Sequence, residues 1–358
     1  MLSASEDPAP AVSVIIPCRN EAGWIEKCLE GVLQFQSPPG GFEVIVVDGA
    51  SDDGTREIVA RIAAQDRRVR LVDNPQRTTP HALNLGILAA RGETIVRVDA
   101  HTEYAPDYLV QCLAVKHETG ADNVGGPALT RCHSYLHRAI AAAYHSRFAV
   151  GGALFHQATY EGPVDTVPYG CYSRARLLEL GLFDERLVRN QDDELNLRLA
   201  RAGGTIWQSP RIRSWYSPRA SLAGLFRQYW QYGYWKVPVI QKHGRPASLR
   251  HLVPGAFAGG LTVMAPLALF SPLVAGLLAV VLAAYLVLLL AGSALTAARA
   301  GWKLLPVLPA VFPCYHLGYG LGFLFGLWDF ALCRRTAGRF VALTRGSVAS
   351  RQRQGASG

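Results

Sequence analysis

The sequence predicts an α/β fold, a mostly parallel sheet with helices on both faces, followed by C-terminal transmembrane helices. Three observations carry that expectation. Short unbroken apolar runs alternate with stretches of helical periodicity through the first hundred residues. Polar residues cluster directly after each apolar run, as at the ligand-binding edge of an open α/β sheet. Finally, the whole stretch from Leu252 to Ala298 contains no Asp, Glu, Lys or Arg.

Taken in order, Val12 to Pro17 is an apolar run stopped by proline, a buried parallel strand. Ala22 to Gln34 carries Trp24, Ile25, Leu29, Val32 and Leu33 at helical spacing. Phe42 to Val47 is a second strand, Glu57 to Gln65 an amphipathic helix and Val69 to Val72 a third strand. Residues 80–91 form a helix, and Glu93 to Val98 a fourth strand. This βαβαβαβ order with short links implies a parallel sheet. The pattern then turns mixed. Helices are expected over Pro106–Lys116, 134–150, Arg174–Gly181, Leu195–Ala202 and Leu222–Tyr234, with strands near Asn123, before Cys171 and at Ile206–Trp207.

At about 1.5 Å per residue, Leu252 to Ala298 reaches roughly 70 Å, enough to cross a hydrocarbon core of about 30 Å twice. Pro266 and Ser271-Pro272 mark the break between crossings. Leu304 to Trp328 is a third apolar stretch, interrupted by Pro306, Pro309 and Pro313. The organisation expected is a flexible N-terminus at 1–11 and an α/β domain at 12–240, divided into halves 12–101 and 102–240. A membrane domain of two to three helices at 241–332 and a basic tail at 333–358 follow.

Net charge is +9, and six arginines after Leu332 (Arg334, Arg335, Arg339, Arg345, Arg351, Arg353) contribute much of it. A basic tail beside apolar segments points to anionic membrane lipids. No groove-reading motif accompanies the charge, so nucleic acid is not expected as a partner. Seven scattered cysteines without CxxC spacing argue against a disulfide framework or a zinc site. The polar, acidic N-terminus has no signal-peptide pattern. The expected location is the cell membrane, multi-pass, with the α/β domain cytoplasmic.

The polar groups after the strands are Arg19-Asn20-Glu21, Asp48, Asp73-Asn74 and Asp99-Ala100-His101. A carboxylate and an imidazole two residues apart at a strand end form a candidate divalent-metal site, Asp99 with His101, and such a metal could carry a diphosphate. Capping of the next segment by Asp99 is the simpler alternative. Asp48 is a candidate for ribose or base hydroxyls, with Ser51 and Asp52 as caps. Asn84 and Gly86 lie on a helix near the same edge, where Gly86 allows either close ligand approach or tight packing. No GxGxxG or Walker loop is present. Asp192 and Asp193 open a helix, and either fits a cap or a general base. The aromatic run Gln228 to Lys236 fits a headgroup-level belt or a platform for sugar rings.

Six motifs in order resemble the inverting family 2 glycosyltransferases, which have the Rossmann-like GT-A fold. They are Val14-Ile-Ile-Pro-Cys-Arg-Asn-Glu21, Val46-Val-Asp-Gly-Ala-Ser-Asp-Asp-Gly-Thr55, Ala82-Leu-Asn-Leu-Gly86 with Ala90-Arg-Gly92, Asp99-Ala-His101, Gly181-Leu-Phe-Asp-Glu185, and Gln191-Asp192 with Leu195-Asn-Leu-Arg198. Within that family the motifs look like those of the succinoglycan-biosynthesis glucosyltransferases. The resemblance implies a nucleotide-diphospho-sugar donor, UDP-linked, and a divalent cation, Mn²⁺ or Mg²⁺. Pro17, Arg19, Asn20, Glu21, Asp48, Asn84, Gly86 and Asp99 would bind the nucleotide sugar, and Asp99 and His101 the metal. Asp192, with Asp193 as rival, would be the catalytic base. Tyr169, Gly170, Gln231 and Trp235 would face the acceptor, a lipid-linked saccharide in exopolysaccharide or cell-envelope glycan synthesis.

The sequence departs from the family at three places. His101 stands for the second aspartate of the family's metal motif, a pairing shared with the related polypeptide N-acetylgalactosaminyltransferases. Gln191 replaces the glutamate before the base. Tyr234 occupies the arginine position of the processive synthases' Gln-x-x-Arg-Trp, which speaks against processive synthesis. Two alternatives stay open on sequence: a polyprenyl-phosphate sugar transferase, and a catalytically silent membrane scaffold.

Overall fold

The computed structural model describes residues 9–132, 134–335 and 339. The chain forms two compact units, one of the residues up to Leu129 with Gln157–Tyr216, the other of Thr130–His156 and the chain from Ser217. The division differs from the boundary expected at residue 240.

The first unit starts as the periodicity requires: β1 (Val12–Cys18), α1 (Ile25–Leu33), β2 (Phe42–Asp48), α2 (Thr55–Gln65), β3 (Val69–Asp73), α3 (Thr79–Ala89) and β4 (Thr94–Arg97). Then come β5 (Thr102–Tyr104), α4 (Tyr108–Thr119), β6 (Asn123–Gly125) and β7 (Leu129–Thr130). The second unit contributes α5 (Tyr135–Tyr144) and α6 (Arg147–Val150). The chain returns through β8 (Gly162–Pro163), β9 (Cys171–Ser173), α7 (Arg174–Glu179), α8 (Gln191–Arg201), β10 (Ile206–Gln208) and β11 (Ser214–Tyr216).

The main sheet has eight strands in the order β3-β2-β1-β4-β9-β6-β10-β8, and a smaller sheet runs β5-β11-β7. Pairings among β1 to β4 are parallel. Alternate residues of β1 serve opposite faces. Val12, Val14 and Ile16 pack with Leu29 of α1, Val59 of α2 and Leu109 of α4, whereas Ile15 packs with Leu83 of α3 and Leu195 of α8. Both faces are covered, which is why these strands read as unbroken apolar runs. Fully burying each such Leu or Ile stabilises the fold by about 1.5–3 kcal/mol.

β9 interrupts the parallel order. It runs antiparallel to both β4 and β6. Its beginning therefore lies at the edge where β4 ends, and Gly170 O accepts a hydrogen bond from Arg97 N–H at 3.2 Å.

Other elements differ from the sequence expectation for local reasons. The helix expected over 134–150 breaks at His145, and the Ser146 hydroxyl caps α6 by accepting from Phe148 N–H. The helix expected from Leu195 begins at Gln191, because Asn190 adopts a left-handed φ of 58° and turns the chain into the first helical turn.

In the second unit, α9 (Leu222–His243) leads to α10 (Val253–Leu267), α11 (Pro272–Ala300) and α12 (Leu308–Gly326), the last extended by a π-helical segment Leu327–Leu332. Among the described residues two helices are long and apolar enough to cross a membrane, Pro272–Ala300 and Leu308–Leu332. α10 has 15 residues, about 22 Å at 1.5 Å each, and falls short of a 30 Å core. The stretch from Leu252 to Ala298 thus supplies one long helix rather than two crossings. Leu273, Val280 and Val287 leave α11 broadly exposed along its length.

α9 and α12 approach at backbone distance through glycines spaced by four, Gly318, Gly322 and Gly326. A Cβ on Gly322 would lie 2.1 Å from Trp230 O, and one on Gly233 would lie 2.0 Å from Tyr319 O. This small-residue spacing lets two helices meet closely where apolar surroundings give no hydrophobic drive. Gly322→Ala is expected to force α9 and α12 apart and cost about 1–3 kcal/mol, as overpacking generally does. It should lower the melting temperature in detergent, whereas Gly260→Ala, with open space around that Cβ, should leave it unchanged.

Candidate active site

The carboxyl ends of β1, β2 and β4, and the start of β9, gather the polar residues of the first unit on one edge. Two loops there are stitched together. Asn20 N–H donates to Ser51 Oγ at 2.9 Å, Glu21 N–H to Thr55 Oγ1 at 2.8 Å and Ala22 N–H to Asp53 Oδ2 at 3.1 Å. The turn after β2 is held from within, since Asp48 accepts from both the amide and the hydroxyl of Ser51.

The centre of the edge is Arg97. Its guanidinium lies in the interior and forks onto Asp99, Nε to Oδ1 at 2.9 Å and Nη2 to Oδ2 at 3.2 Å. Its third arm, Nη1, is 3.8 Å from Asp192 Oδ2. Burial alone would lower the affinity of this arginine for its proton. Asp99 and Asp192 outweigh that and raise it, so Arg97 is a fixed cation. Asp99 is also fixed through its backbone, its N–H donating to Tyr104 Oη at 2.8 Å.

Asp192 sits in the first turn of α8. The crowding of protein around it and the neighbouring negative charge of Asp193 push its carboxyl above the ordinary range, against the pull of Arg97. Its Oδ1 accepts from Asp193 N–H at 3.0 Å. Behind it Glu194 is wholly buried and grips Arg198, whose Nη2 donates to Leu182 O at 2.6 Å, which locks α8 onto the 181–185 loop.

His101 lies beyond Asp99 with Nδ1 3.1 Å from Glu21 Oε1. A carboxylate on one ring nitrogen fixes the imidazole and leaves the other for a ligand, the usual arrangement around metal-binding histidines. Among the described residues no group of three or more His, Cys, Asp or Glu forms a cage. A cation held by Asp99 and His101 would have to take its remaining ligands from elsewhere, such as a diphosphate and water.

The structure brings together Glu21, Arg97, Asp99, His101, Asp192, Tyr169 and Gly170 on this unit. The Tyr169 hydroxyl is 2.8 Å from Thr102 Oγ1 and its ring stands edge-on to Tyr104. Pro17 is half-buried in register with Val47, and Arg19 forms no hydrogen bond or ion pair among the described residues.

Six of the expected binding residues are engaged within the protein itself. Gly86 is a packing glycine, since a Cβ there would meet Ile15 Cγ2 at 2.5 Å. The Asn84 amide is buried and committed to the 181–185 loop, donating to Phe183 O and accepting from Phe183 N–H, both at 2.9 Å. Asp48 is wholly buried and turned onto Ser51, so it shapes the turn rather than facing the open edge. Glu21 Oε1 meets His101 Nδ1. Gln231 and Trp235 belong to the second unit, where both are almost entirely buried in α9. The Trp235 ring packs beside Tyr234 and Phe330, so neither offers a face for stacking on a sugar.

Arg97 and Tyr104 were missed by the sequence reading. The signal for Arg97 was available: a charged residue inside Thr94-Ile-Val-Arg-Val98 must have a partner if the strand is buried.

Residues 13–164 match the family described as glycosyl transferase family 2. The succinoglycan biosynthesis protein ExoA of Rhizobium meliloti (strain 1021) is 34% identical over 262 residues, covering 72% of this chain and 78% of that protein. A dolichyl N-acetyl-alpha-D-glucosaminyl phosphate 3-beta-D-2,3-diacetamido-2,3-dideoxy-beta-D-glucuronosyltransferase of Methanococcus voltae is 29% identical over 239 residues, covering 64% and 74%. Among solved structures, the mannosyltransferase PcManGT from Pyrobaculum calidifontis, in complex with GDP-Man and Mn²⁺, superposes with a TM-score of 0.56 at 24% identity, covering 90% of this chain and 89% of that one. The fold is GT-A, and the chain belongs to glycosyl transferase family 2, as a glycosyltransferase of polysaccharide or glycan biosynthesis.

Proposed function

We propose that this enzyme moves a hexose, glucose in the first instance, from a UDP-linked donor to a lipid-linked saccharide at the membrane, with inversion at the anomeric carbon. The observation that carries the reading is the Asp192 carboxylate on the same edge as Asp99, 3.8 Å from the guanidinium that grips it. Arg19 and the Asn20 backbone border the nucleotide, and Asp99 and His101 hold a divalent cation. When bound, that cation neutralises charge on the departing diphosphate. Asp192 accepts the proton of the acceptor hydroxyl as the oxygen bonds to the anomeric carbon. The bond from that carbon to the diphosphate oxygen breaks with its electron pair leaving on the nucleotide. The raised carboxyl of Asp192 suits a base, because it holds a proton more firmly than an ordinary aspartate once it has taken one.

The 34% identity to a succinoglycan biosynthesis protein supports an exopolysaccharide acceptor. Two crossings, by Pro272–Ala300 and Leu308–Leu332, return the chain to the face it left, which accords Arg334 and Arg335 with the positive-inside tendency and a cytoplasmic catalytic unit.

The test supplies membranes containing the protein with labelled UDP-glucose and a panel of other nucleotide sugars, with Mn²⁺ or Mg²⁺. Label should pass into a solvent-extractable saccharide lipid. Transfer that survives loss of both Asp192 and Asp193 would instead mean a lipid phosphate acceptor, which needs no strong base. No transfer and no donor hydrolysis with any sugar would leave a silent scaffold.

A further inference from the structure

We propose that Arg97 is a positioning residue that ties the placement of the base Asp192 to the occupancy of Asp99; this rests on the roles given above to those two aspartates. The guanidinium is a rigid planar fork with donors in fixed directions. Two arms are engaged with Asp99, while Nη1 is buried, has no hydrogen bond and lies 3.8 Å from Asp192 Oδ2. That separation is too long for a hydrogen bond and short enough for an ion pair. A buried guanidinium N–H without an acceptor is costly, so such an arm generally has a use.

The two sides of the 3.8 Å gap differ in freedom. Arg97 ends a strand flanked by β1 on one side and β9 on the other, and its side chain is only 10% exposed. The Asp192 side chain is 39% exposed, at the very start of a helix. The base is therefore the partner that can move. A divalent cation arriving with the donor's diphosphate would draw the Asp99 carboxylate toward itself and leave the guanidinium less neutralised. Nη1 then closes on Asp192 Oδ2 and fixes the carboxylate, with the Oδ1 lone pair that Asp193 N–H does not use left for the acceptor. Lysine cannot replace this, because one ammonium cannot hold both oxygens of Asp99 and also reach Asp192.

The experiment is a double-mutant cycle on the full-length protein in detergent, with Arg97→Lys, Asp192→Asn and the pair. It reads kcat, donor KM, UDP binding by calorimetry and melting temperature. Arg97→Lys is expected to melt near wild type, bind UDP within about threefold, and lose about 10- to 100-fold in kcat. In the Asp192→Asn background the same change should cost less than about twofold, because an effect carried through the base disappears with it. Equal losses in both backgrounds mean a structural role and overturn the proposal, as does a loss confined to donor KM. Should the lysine variant not fold, Arg97→Gln runs through the same cycle, and failure of both to fold assigns Arg97 to the fold and also overturns it. Full kcat in Asp192→Asn alone sinks the base assignment and this proposal together, whereas a normal Asp192→Asn loss with additive Arg97 effects sinks this one only.

Discussion

Asp192→Asn is expected to lower kcat by about 10²- to 10⁴-fold, the range typical of a lost general base. UDP affinity should change by no more than about threefold, since Asp192 reaches the donor site only through Arg97. Asp193→Asn should be far milder. It should also move the acid limb of the kcat/KM profile. Asp192 must be ionised to accept a proton, so activity falls as pH drops through its pKa. That pKa lies above the ordinary aspartate value of about 3.9 because of crowding and the charge of Asp193. Removing the Asp193 charge should therefore shift the limb to lower pH. Measured kcat values settle the assignment: an active Asp192→Asn beside a dead Asp193→Asn would exchange their roles.

Asp99→Asn should abolish the cation-dependent part of UDP binding, a loss of at least about tenfold given that a coordinating carboxylate is removed from a small ligand set. Asparagine keeps the shape and one acceptor for the Arg97 fork, so the fold should survive better than with alanine. Alanine would strand a buried guanidinium, a change worth about 3–5 kcal/mol. Calorimetry with UDP alone, with Mn²⁺ and with Mg²⁺ distinguishes the cases. Binding that responds to the cation as strongly as in wild type would falsify Asp99 as a ligand. His101→Ala separates the two ligands, since it removes the imidazole without touching Arg97.

How legible all this was in the sequence depended on the range of each signal. The four parallel strands and their helices were plain, because a strand buried on both faces must be apolar at every position, as Val12 to Ile16 and Val44 to Val47 are. Short strands such as Thr102–Tyr104 and Ser214–Tyr216 were invisible. With three residues each they carry no periodicity, and only their mutual pairing makes them strands. Asp99 and Asp192 were found because carboxylates at strand and helix ends are conspicuous. Their connection through Arg97 was not, since the pairing spans 95 residues of sequence and no local pattern encodes it. Asn84 and Gly86 misled for the same reason, because their partners Phe183 and Ile15 lie far along the chain. The Gly318, Gly322 and Gly326 spacing could have been read directly as a helix-packing motif.

The reversed strand β9 has a consequence for how the enzyme is assembled in time. β1 to β4 are linked by short crossovers, so that half can form from contacts near in sequence. β9 must be threaded between β4 and β6, and it pairs Val96 with Cys171 and Val124 with Cys171, closing long loops to do so. Loop closure over such separations slows folding, so contacts of this kind form late. Asp99 belongs to the early half, and Asp192 follows β9 on the late one. A nascent chain can thus hold Asp99 in place well before Asp192, because the helix that carries Asp192 follows β9 in the chain.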